Sequence, residues 1–147
     1  MAIADIGIII GGILAPIATA LYFIVKEVRK IQVKNRLRLN GNWTNEGDIT
    51  SLETDFIRIN LQVDKEDGQI IGLAHCDSLI PVTSQAIHGQ LKFSSAIIHI
   101  GRVSHQQYVE TLKARLTLKG KNLLWKVIRD NHEMKPHKTI LFKSDFE

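Results

Sequence analysis

The chain has 147 residues, a net charge of +4 and 23% charged side chains, a balance that excludes a disordered polyelectrolyte and fits one folded domain with an appendage. Cys76 is the sole cysteine, which excludes an internal disulfide and suits a reducing compartment. The positive charge is concentrated. Lys26, Arg29, Lys30, Lys34, Arg36 and Arg38 oppose only Glu27, whereas acidic and basic residues balance from Leu39 onward; that balance argues against a nucleic-acid polymer as partner.

Residues 6–25 carry no charged side chain. About 20 helical residues at ~1.5 Å each cross a bilayer core about 30 Å thick, so this run predicts one N-terminal transmembrane helix within residues 1–25. Pro16 is tolerated in lipid, and Tyr22 and Phe23 suit the interface. Basic residues follow the run and none precedes it. The positive-inside rule then predicts a single-pass protein of the inner (cell) membrane, N-terminus outside and C-terminal domain cytoplasmic, with the lipid bilayer as partner. The competing reading is a cleaved signal peptide with Ala18-Thr19-Ala20 as its cleavage box, against which stands the missing basic n-region. Gly7, Gly11 and Ala15 recur at the spacing that lets helices approach closely, and predict a homo-oligomer associated through that face. Residues 26–39 contain no Gly or Pro; with Asn40-Gly41 as the stop, 26–40 reads as a basic helical stalk.

From residue 41 to 147 the pattern changes to period two. Ile57, Ile59, Leu61 and Val63 alternate with Arg58, Asn60 and Gln62, as a half-buried strand does. The turn 64–68 leads to a partner strand over 69–76. Further strands are predicted ending near Leu91 and Phe93, over 96–102 after Ser94-Ser95, around 112–118, over 123–129 after Lys119-Gly120-Lys121-Asn122, and over 138–143. With a short first strand at Trp43, about eight strands joined by short turns predict an all-β, compact up-and-down barrel, closed so that no edge is left bare. Arg58, Asn60, Gln62, Lys113 and Arg115 alternate with the apolar set, so the outer wall is wet and the domain is no outer-membrane barrel.

Catalytic signatures are absent. His132-Glu133 and His137 lack the spacing of a helical zinc motif, and Pro136 interrupts them. No nucleophile triad, phosphate loop or dinucleotide fingerprint occurs, so neither an enzyme, a metal nor a cofactor is expected. Polar residues in step with apolar strand positions are the natural ligand readers of a barrel mouth. His75 follows Ile71 and Leu73, Arg102 follows Ile98 and Ile100, and Arg129 follows Trp125 and Val127. Arginine forks onto phosphate, and Trp125 or His75 can stack a base. The bland reading of each is a rim residue reaching into water.

Gly41-Asn42-Trp43 resembles the Gly-x-Trp opening of lipocalin-like barrels. That resemblance implies a structural role for Gly41 and Trp43, the Trp plugging the closed end beneath a late-strand base, for which Arg129 is the candidate. The whole layout resembles the transmembrane β-barrel effectors of bacterial cyclic-oligonucleotide antiphage signalling (CBASS), although those typically carry two membrane helices. The resemblance implies a barrel that senses a cyclic oligonucleotide at His75, Arg102, Trp125 and Arg129, then oligomerises and disrupts the membrane. The alternatives are a tethered protein-binding scaffold, docking through a strand edge or the region 83–90, and a carrier of an apolar ligand.

Overall fold

A computed structural model describes residues 3–47, 55–77, 84–130 and 137–144, with helix side chains from residue 16 onward. Helix α1 spans Ile3–Leu39. Strands β1 (Gly41–Thr44), β2 (Ile57–Val63), β3 (Gln69–Cys76), β4 (Gln85–Lys92), β5 (Ser95–Ser104), β6 (Gln107–Lys119), β7 (Asn122–Asp130) and β8 (Lys138–Ser144) follow. They form a closed antiparallel barrel in chain order, β8 pairing back onto β1. The expected up-and-down closed barrel is what forms. Two compact units make up the chain, Met1–Gln32 and Val33–Glu147.

The membrane placement is corrected. Among the described residues no helix is long and apolar enough to cross a membrane. From Lys26 onward α1 carries Lys26, Glu27, Arg29 and Lys30 within two turns. The single-pass inner-membrane assignment therefore does not hold for what is described. The association face expected of Gly7, Gly11 and Ala15 lies outside the described side chains.

Within the second unit, the end of α1 seals one barrel end. Leu39 is fully buried. Asn35 Nδ2 donates to the Phe93 carbonyl at 3.2 Å, and Arg36 donates to the carbonyls of Lys65 and Glu66, each at 2.6 Å. Arg38 reaches the Gly120 carbonyl. Three hairpin turns are thus tied to one helical turn. The helix's last carbonyls, orphaned by geometry, are satisfied in return: the Trp43 indole N–H donates to Leu39 O at 2.9 Å, and Lys143 Nζ lies 3.5 Å from Arg38 O. Trp43 is 1% exposed, and Lys143 Nζ stands 5.7 Å from its ring centroid. The late-strand base beside the Trp is Lys143, its register partner, and not Arg129.

The interior is filled by alternate residues of each strand, among them Ile59, Leu61, Ile98, Ile100, Leu116 and Trp125. β3 departs from its expected facing. Ile70, Ala74 and Cys76 point in, whereas Ile71 and Leu73 are both 55% exposed. Both parities of this strand are apolar, so alternation leaves its facing open; the turn after β2, which pairs Val63 with Ile70, decides it. Small Ala74 and Cys76 inside suit a bore already holding two tryptophans. Burial, aided by the nearby carboxylates of Asp55, Asp77 and Asp130, pushes the Cys76 thiol pKa up to about 12. That thiol stays protonated and unreactive at neutral pH.

Candidate functional site

The polar cluster of this barrel is built by register shifts. Between β5 and β6 the pairing jumps from Ile100↔Leu112 to Gly101↔Glu110, leaving Thr111 as an extra residue. Thr111 and Leu112 are consequently both buried, and Thr111 Oγ1 donates to Gln85 and approaches Ile100 O at 3.0 Å. A second shift, between Lys113↔Arg129 and Ala114↔Val127, leaves Ile128 extra on β7. Bulges of this kind re-aim the side chains beyond them. Here they turn Glu110 and Arg129 onto the outer wall.

On that wall Glu110 bonds twice, with Oε2 accepting from His99 Nδ1 and Oε1 from Arg129 Nη2. An ionised carboxylate only accepts, so the His99 proton sits on Nδ1. The His99 bond, then the Arg129 bond, holds the Glu110 pKa below the ordinary carboxylate range. His99 stacks on its cross-strand partner His88, centroids 5.1 Å apart and planes 7° from parallel. Tyr108 meets His88 edge-on at 4.7 Å. Burial, with Glu110 nearby, raises the Tyr108 pKa, which keeps the phenol protonated.

A groove of about 600 Å³ opens beside these rings over β4–β6. Its lining includes His88, Lys92, Ile97, His99, Lys113 and Arg115, and no carboxylate. Gly89 also lines it; a Cβ there would run into the Ile97 carbonyl, so the backbone itself forms that part of the wall. Among the described residues no group of three His, Cys, Asp or Glu side chains could hold a metal ion. The arrangement offers flat rings for stacking and cations for an anion, with no nucleophile placed against a base.

The expected mouth site does not assemble. Trp125 is fully buried in the core, and its indole N–H has no hydrogen-bond partner among the described residues. His75 faces outward on β3, its Nε2 3.9 Å from Asp77. Arg102 is exposed beyond the β6 bulge, opposite Val109. Arg129 alone joins the cluster, on the outer wall instead of the mouth because Ile128 shifts its facing. The docking region 83–90 is mostly strand, β4. His88, His99, Tyr108 and Glu110 were not singled out by the sequence reading. A signal existed: a turn at Phe93-Ser94 pairs Lys92 with Ser95, and counting equally along both strands sets His88 opposite His99.

No family model, no curated protein and no solved structure matches this chain.

The Glu110 hub has a pH signature. Its lowered pKa means that the folded state favours the carboxylate, so its contribution is full above the unfolded value of about 4.3 and is lost as pH falls through the lower folded value. Glu110→Gln should lower the melting temperature near neutrality and flatten the decline seen in acid. Melting curves collected from pH 7 downward check this; identical acid limbs in both proteins would remove the hub from the stability account.

Proposed function

We propose that this protein is a non-enzymatic sensor whose barrel binds a small anionic aromatic ligand of the cyclic-oligonucleotide class in the β4–β6 groove, and that occupancy favours an associated state. The observation carrying this reading is a groove of about 600 Å³ lined by Lys92, Lys113, Arg115 and a stacked histidine pair, without a carboxylate in its lining. Stacking on a flat ring is worth about 1–3 kcal/mol per base, and lysine or arginine supplies the phosphate contacts. Occupancy drives association only if the associated state binds the ligand more tightly.

The test is a thermal-shift titration of the full chain against cyclic di- and trinucleotides. One of them should raise the melting temperature saturably, and His99→Ala or Arg115→Ala should weaken its apparent affinity about tenfold. The scaffold reading has one observation in its favour: the β5–β6 ribbon leaves Val103 72% and Val109 43% exposed. A flat response to the whole panel from a cooperatively folded chain would favour it.

A further inference from the structure

The balanced charge of residues 39–147 does not show where the charges fall. Strand register collects four of the positive ones on one wall. Arg115 lies directly opposite Lys126, and Lys126 directly opposite Lys138, so β6, β7 and β8 present a continuous row of cations. Lys113 adjoins the row two residues before Arg115 on β6, on the same face. Arg115, Lys126 and Lys138 are exposed. No ion pair to any of these four occurs among the described residues.

Like charges directly opposite on neighbouring strands destabilise a sheet. Glu110 shows that this wall can neutralise a base, since it holds Arg129, which lies opposite Lys113. Among the described residues the row has no such partner. Its other end continues through Ile97, opposite Arg115, into the groove with the stacked His88 and His99. At about 4.8 Å per strand, Ile97 to Lys138 spans roughly 14 Å, a length for successive phosphates and longer than one phosphate group needs.

We infer that the β6–β8 wall binds single-stranded nucleic acid, its phosphates following Arg115, Lys126 and Lys138 and a base reaching the histidine pair. A cationic track beside stacking rings is the arrangement that holds single strands without sequence preference. An acidic peptide would match the cations and leave the rings unused. The inference goes beyond the small-ligand reading, because Lys126 and Lys138 do not line the groove.

Fluorescence anisotropy of a labelled fifteen-residue oligothymidine with the full chain tests it. Binding should be saturable, with a log–log salt slope of about −2 to −3 for three to four phosphate contacts. The double variant Lys126→Glu/Lys138→Glu should lose at least tenfold in affinity and flatten the slope by about 1.4, while Lys65→Glu, a single charge reversal on the β2–β3 turn, should not. Lys126→Gln/Lys138→Gln repeats the test without new acids, and an unshifted or raised melting temperature shows that both variants fold. Wild-type-like binding by both double variants, absence of saturable binding at low salt, or equal competition by polyglutamate would overturn the inference. The cyclic-nucleotide titration, repeated on the double variants, separates the readings: it should be unchanged, and its failure in wild type would count against the groove alone.

Discussion

Trp43→Ala is expected to cost about 3–5 kcal/mol, the range for deleting a large buried aromatic side chain. Two losses combine. The indole is 1% exposed at the sealed barrel end, so its removal leaves a cavity that the hydrogen-bonded strands around it close only in part. Its N–H also caps α1 at Leu39 O, and a buried carbonyl left without its partner costs a further share. A domain of this size has about 5–15 kcal/mol in total. The variant should melt roughly 12–40 °C lower, at about 4–8 °C per kcal/mol. Trp43→Phe refills most of the volume without the donor and should fall between the two, which separates packing from capping. Chemical denaturation of the three proteins checks this; equal midpoints for wild type and Trp43→Ala would show that the plug does not stabilise the barrel.

Gly101→Ala should damage stability and site together. Gly101 pairs with Glu110 at the β6 bulge, and a Cβ there would run into the Val109 carbonyl and come within 2.7–2.8 Å of the Tyr108 ring carbon and hydroxyl. The carbonyl belongs to the sheet and cannot swing away. The Tyr108 ring could, but only by leaving its edge contact with His88. An overpacked position of this kind costs about 1–3 kcal/mol. The melting temperature should fall accordingly, and apparent affinity for any groove ligand should weaken even at temperatures where the variant is folded. Tyr108→Ala in the same background removes one of the two clashes and should restore part of the stability. No recovery in that double variant would place the whole cost in the backbone.

Much of the barrel was legible because its strands alternate cleanly. Ile57 to Val63 carries apolar residues at every second position, and the structure buries each of them. Chain-order turns at 64–68 and 119–122 set the hairpins. What was not legible came from two physical sources. β3 is apolar on both parities, so nothing in its residues decides whether Ile71 or Ile70 faces the core. The second source is the pair of bulges: one extra residue reverses the facing of everything after it, and Thr111 and Ile128 carry no mark of that role. Arg129, in step with Trp125 by simple alternation, is turned outward for this reason. The residues expected at the mouth are dispersed with it, and the outer-wall cluster took shape from residues that alternation alone would assign to plain solvent exposure. The N-terminal run illustrates a different limit: uncharged length predicted a span, and among the described residues no helix is long and apolar enough to cross a membrane.

The proposed ligand site lies on the outer wall of β4–β6 and not in the barrel mouth. Backbone and imidazole NMR shifts of the full chain, followed while titrating the cyclic nucleotide that gives the largest thermal shift, test it most directly. Saturable changes are expected at His88, Gly89, His99 and Arg115, with Trp125 and His75 unmoved. Changes centred on Trp125, Arg102 or His75 with the groove silent would contradict it.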